Sequence, residues 1–141
     1  MLSGMPRFQR IAVYGICRDA HGRVLLTRAA SYLTVAGQWF LPGGGLAHGE
    51  DPVDGLVREF DEETGLTVRP GVLSGVLSDV TTLPDGVGLH TVRLIYQVAG
   101  WSGTIRPEAE GSTDDVRWVS EDERSGLTLM PYVTRALAEW G

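Results

Sequence analysis

Residues 58–65 read REFDEETG, which sets three glutamates, Glu59, Glu62 and Glu63, beside a single arginine, Arg58. Carboxylates three or four residues apart on a helix repel one another. The face is therefore either a solvated one carrying an Arg58–Glu62 ion pair, or the seat of something strongly positive. Hard cations such as Mg²⁺ take oxygen ligands, usually one or two carboxylates together with substrate phosphates. On a helical wheel the three glutamates share a sector well away from Val53, Val57 and Phe60. Arg58 flanks that sector, close enough to brace a glutamate through a charge-assisted hydrogen bond. Gly55 points into it one turn earlier, and a helical glycine costs up to ~1 kcal/mol relative to alanine, so its placement suggests a need for room.

These residues need a helix to carry them and a loop to face them. Asp51 is a suitable N-cap, Pro52 fits the first helical position, and Gly65 followed by Leu66 fits a left-handed C-cap. The spacing predicts a helix from 52 to 64, with Val53, Leu56, Val57 and Phe60 as its buried stripe. Upstream, Gly43 to Gly45 and Glu50 can fold over the helix N-terminus, where backbone N–H groups and the dipole favour anions.

Around this centre the pattern is mostly β. Residues 10–17 and 23–27 flank DAHG and read as a hairpin. AASYLTVAGQ reads as a loop into the short apolar piece WFLP, which ends at Pro42. LTVRPGVLSGVLSDVTT and GLHTVRLIYQVAG read as two long strands joined by the turn LPDG. WSGTIRPEAEGSTDD is loop-like, DVRWVS a last strand, and LMPYVTRALAEW a terminal helix with Pro131 in its first turn. Trp118 and Trp140 are expected to pack that helix on the sheet. Strands interrupted by one central and one terminal helix suggest an α/β fold in which helices cover a mixed sheet.

The bulk numbers bound the function. A chain of 141 residues, 43% hydrophobic and 21% charged, suits one globular domain spanning 1–141. A net charge of −6 argues against a partner held by neutralising nucleic-acid phosphates. A small phosphorylated substrate stays compatible if a divalent cation or placed arginines supply local positive charge. Cys17 is the single cysteine and sits among apolar residues, which favours a structural thiol over a nucleophile. The N-terminus has no apolar signal core and no run is long enough to span a bilayer, so a cytoplasmic protein without membrane partners is expected.

Taken together, Gly44, Glu50, Arg58, Glu59, Phe60, Glu62, Glu63, Gly65 and Leu66 form a complete Nudix box. At ordinary residue frequencies a given window matches by chance less often than about once in 10⁸. The chain resembles the Nudix hydrolases, MutT-like members among them. That resemblance implies an α/β/α sandwich with a mixed β-sheet between helices. It also implies Mg²⁺-dependent hydrolysis, with Mn²⁺ as a substitute, of a nucleoside diphosphate linked to another moiety.

Carried over by position, Glu59, Glu62 and Glu63 would be metal ligands, Arg58 would orient Glu59, and Glu50 would be an auxiliary ligand or support. Gly44 and Gly45 would form the substrate-facing loop. Glu59 or Glu62 would take the proton of the attacking water, with Glu110 or Glu108 of the later loop as alternatives, Glu110 also as a further ligand. Many relatives carry glutamate where this chain has Ala47 and alanine where it has Gly55.

Similar proteins place a phosphate-binding arginine near Arg28. Trp39 or Phe40, before the glycine loop, could stack on a base, and Trp101 offers a similar platform. His48 and His90 are candidates for phosphate contact and general base, against plain surface roles. The expected substrate is a small nucleotide, a nucleoside triphosphate slightly ahead of ADP-ribose or a nucleotide sugar, acted on by a monomer or homodimer. The other readings are a Nudix-fold sensor that binds a nucleotide without turnover and, more weakly, an isopentenyl diphosphate isomerase.

Overall fold

The computed structural model describes residues 7–31, 33 and 35–141. The N-terminal residues read above for a signal core, and Tyr32 and Thr34 of the loop, lie outside them. Among the described residues the strands are β1 (Arg7–Ile16), β2 (Val24–Ala29), β3 (Trp39–Phe40), β4 (Gly43–Gly45), β5 (Thr67–Thr82), β6 (Gly88–Ser102) and β7 (Thr113–Val119). The helices are α1 (Pro52–Thr64), α2 (Glu121–Arg124) and α3 (Pro131–Trp140). The four-stranded sheet has the order β4-β1-β6-β5 and the three-stranded one the order β3-β2-β7. The larger sheet is mixed: β1 runs parallel to β6, and the other pairs are antiparallel.

The expected hairpin of residues 10–17 and 23–27 exists only at its base. Leu25 N donates to the Cys17 carbonyl at 3.0 Å and Arg18 bridges Val24, but beyond that point the two strands diverge into different sheets. Asp19 holds the turn, accepting from the N–H groups of His21 and Arg23. Alternation of side chains along β1 then feeds two cores. Ala12, Tyr14 and Ile16 pack with Leu26, Ile95 and Val133 on the α3 side. Val13 and Cys17 pack with Leu25, Leu56, Phe60 and Leu66 on the α1 side.

The helix at 52–64 forms where the spacing places it. Asp51 accepts from Val53 N at 3.0 Å, and Gly65 takes the left-handed conformation at φ 78°. Leu56 and Phe60 are fully buried, each stabilising by roughly 1.5–3 kcal/mol. Val53 is not part of the stripe: it is 40% exposed and belongs to neither core. Trp118 also differs from expectation. It stacks with Trp101 at 5.0 Å and packs with the α1-side core, whereas Trp140 does pack with α3 on the sheet. Helix α2 was not anticipated, although Ser120 and Glu123 make the reciprocal bonds of a capping box.

Candidate active site

Strand β4 and helix α1 build the site between them. β4 consists of Gly43, Gly44 and Gly45 and forms one edge of the mixed sheet. Its main chain meets the glutamates of α1 directly. Gly43 N donates to Glu63 Oε1 at 2.7 Å, so a carboxylate only 2% exposed is fixed by the backbone. A Cβ on Gly44 would lie 2.8 Å from Glu59 Oε1, so only a residue without a side chain lets that carboxylate rest there. Glu62, on the outer side of the helix, stays half-exposed.

Arg58 ties the set together, but not in the expected order. Its strongest partner is Glu50, which accepts from Nε at 2.7 Å and from Nη2 at 2.9 Å. Nη1 reaches Glu59 at 3.2 Å and Glu62 at 3.3 Å, and Nη2 also donates to the Gly45 carbonyl at 3.4 Å. Arg58 thus anchors the loop to the helix and only then touches Glu59. The Glu50 carboxyl, bonded by Arg58 and by Ala47 N, is held down to about 2. The space beside Gly55 is taken by Leu46 and by Glu50, so that glycine makes room for the loop, not for an ion.

The electrostatics separate two kinds of carboxylate. Burial raises the Glu63 carboxyl well above the usual range, and neighbouring Glu59 raises it further. Burial likewise raises Glu59, against the pull of Arg58. Glu108 is raised by burial and then by Glu62, and its charge is felt at both Glu59 and Glu63. The loop therefore brings Glu108 to the cluster, while Glu110 is exposed. Among the described residues no three His, Cys, Asp or Glu side chains already converge as a closed metal site. The donor set nevertheless fits a hard divalent cation: carboxylate oxygens, desolvated, mutually repelling and only partly neutralised by Arg58.

One of the substrate-binding expectations is overturned, and another meets a partner not foreseen. Trp39 is 4% exposed, sits in the α3-side core and has no open face for a base. Arg28 lies in the other sheet, and its charge is met by Asp114 at 2.7 Å. Phe40 is half-buried against the same core as Trp39. Trp101 Nε1 donates to the Arg18 carbonyl at 2.9 Å. His48 is exposed, and His90 pairs with Gln9 across β1 and β6.

Arg10 is the residue that sequence reasoning missed. It is half-buried on β1, makes no ion pair among the described residues, and has only long contacts to Thr91 Oγ1 at 3.4 Å and to the Tyr14 hydroxyl at 3.5 Å. Its guanidinium lies 3.6 Å from where a Cβ on Gly45 would stand. Successive strand residues face opposite sides, so Gly44 faces the glutamates while Gly45 faces Arg10. The pairing of β1 with β4, Ala12 to Gly45, would have indicated this, but register is not readable from one sequence.

The NUDIX domain pattern matches residues 8–139. This chain belongs to the Nudix hydrolase family. A MutT-like protein of Streptomyces ambofaciens is 33% identical over 132 residues, covering 94% of this chain and 77% of that protein. A putative 8-oxo-dGTP diphosphatase 3 of Mycobacterium tuberculosis is 33% identical over 118 residues, 80% of this chain and 51% of its own length. Among solved structures, the MutT protein of Methanosarcina mazei superposes with a TM-score of 0.75 at 26% identity, covering 94% of this chain and 90% of that one. The Nudix fold is accordingly the α/β arrangement described above, a mixed sheet with helices against it.

Proposed function

We propose that this Nudix protein hydrolyses the phosphoanhydride of a nucleoside diphosphate derivative, with a nucleoside triphosphate as the first substrate class and ADP-ribose or a nucleotide sugar as the second. The observation that carries the reading is the contact of Glu59 and Glu63 with the glycine strand, where two desolvated carboxylates face main chain with no side chain between. The similarity to a MutT-like protein and to a putative 8-oxo-dGTP diphosphatase supports the order of the two classes.

In this reading Glu59, Glu62 and Glu63 hold Mg²⁺ or Mn²⁺. Such an ion, when bound, offsets the charge of the diphosphate and lowers the pKa of a bound water. Glu50 is the support that locks Arg58, and Arg58 in turn keeps Glu59 and Glu62 at fixed separation. Glu62 or Glu59 accepts the proton of the attacking water. Glu108 is a further carboxylate close enough to feel the cluster's charge and serves as the reserve base. Arg10, on the far side of the glycine edge, bonds an oxygen of the nucleotide, so the substrate crosses β4 from one face to the other.

A phosphate-release screen with Mg²⁺ across oxidised and ordinary nucleoside triphosphates, ADP-ribose, nucleotide sugars and dinucleoside polyphosphates tests this. Turnover of one class, lowered more than about 100-fold by Glu62→Gln, is expected. Binding without turnover across the whole panel would replace hydrolysis by sensing.

A further inference from the structure

The outer edge of β5 is open. β6 pairs it on one side, and among the described residues no main-chain group from 74 to 82 bonds anything else. An open edge is a template for another strand, and proteins usually blunt it with proline, bulges or lysine. The first half of β5 is blunted in that way, by Pro70 and by register shifts up to Gly75. From Gly75 to Thr82 the pairing with β6 is unbroken and nothing blunts the edge. All basic residues of the chain are arginines, and none falls in this stretch. Its one charge, Asp79, is bonded by Arg93 at 2.8 and 3.1 Å.

The same stretch is apolar on one face. Val76 and Val80 are 52% and 71% exposed, and they flank Ser78 on the face that Ile11 and Val92 share by register. Helix α1 covers that face near Val68 and leaves the valines uncovered.

We propose that this edge docks a second copy of the chain, β5 pairing antiparallel with the partner's β5 about a twofold axis at Ser78. Self-complementarity favours a second copy over an unrelated protein. With the axis at Ser78, Val76 of each chain lies opposite Val80 of the other, and Gly75 opposite Thr81. Opposed side chains in such a pair share a face, so the apolar strip runs on from one molecule into the next. The axis falls near the middle of the unbroken segment, which keeps the bulged half out of the pairing. An isologous contact of this kind closes at two copies instead of growing into a fibre. Each copy carries a net charge of −6, so salt should tighten the pair by screening.

The test combines sedimentation with a register-specific cross-link. The wild-type chain should sediment as a dimer at tens of micromolar, and Val80→Lys should weaken association at least tenfold while leaving the fold signal unchanged. Residues opposed on the axis have Cα atoms about 4.5 or 5.5 Å apart, within disulfide range. Ser78→Cys should therefore oxidise to a covalent dimer, and Asp85→Cys, in the turn after the strand, should not. A monomer at all concentrations would overturn the proposal. So would a dimer that Val80→Lys leaves intact, or one that Ser78→Cys fails to trap.

Discussion

The carboxylates of the site differ in what holds them, and that difference predicts their behaviour. Glu50 has its carboxyl lowered from 4.5 to about 2 by Arg58 and by Ala47 N. A carboxyl whose folded pKa is depressed contributes stability that is present above its unfolded pKa and is lost as pH falls through the folded one. Glu50→Gln should therefore flatten the loss of stability between about 4.5 and 2, as measured by chemical denaturation along a pH series. Arg10→Ala should raise KM for the nucleotide about tenfold or more with kcat little changed, if the guanidinium binds ground state and transition state alike. Steady-state kinetics separates that from Glu62→Gln, which acts on kcat. The surroundings of Arg28 and Trp39 were not legible for one reason: type and neighbours in sequence do not reveal the partner in space. Asp114, distant in sequence, neutralises the arginine, and the α3-side core closes over the indole.

At the scale of elements, α1 was legible because its punctuation is local. Asp51, Pro52 and Gly65 each act on their own main chain, and all three do so where expected. The split of β1 and β2 into two sheets was not legible, since a hairpin base and a hairpin have the same turn residues. Glu108 and Glu110 could not be ranked because their loop has no periodicity to orient it. Strand β4 makes the clearest claim at this scale. In Gly44→Ala the three atoms nearest the new Cβ would all belong to the flexible end of the Glu59 side chain, which can swing aside. Stability should change by less than about 1 kcal/mol, while activity falls about 10–100-fold through the displaced carboxylate. Thermal melts beside activity on the same samples check both halves. Equal losses in the two would mean that the strand itself is distorted.

For the molecule as a whole, the cluster of Glu59, Glu62, Glu63 and Glu108 is a local excess of negative charge in a chain already at −6. The fold tolerates it because Leu56 and Phe60 bury α1 in one core and the Gly43 amide bonds Glu63 directly. A cation that binds the folded state alone stabilises it by about 2.7 kcal/mol at a hundred times its Kd. Millimolar Mg²⁺ should accordingly raise the melting midpoint of the wild type, and Glu63→Gln should shrink that rise. A midpoint indifferent to the ion, with and without a bound nucleotide, would remove Glu63 from the ligand set. The chain spans 77% of its Streptomyces relative and 51% of its mycobacterial one.

The bond from Gly43 to Glu63 makes the site observable without touching it. Gly43 N donates to the buried Glu63 carboxylate at 2.7 Å, so its proton should be strongly deshielded. That one cross-peak in a nitrogen–proton correlation spectrum is a native gauge of what sits on the carboxylate. Protonation, a bound ion and an arriving nucleotide should each move it by a different vector. Nitrogen-15 enrichment leaves the chemistry of the protein unchanged, so occupancy of the reaction centre can be followed with no substrate analogue and no substitution.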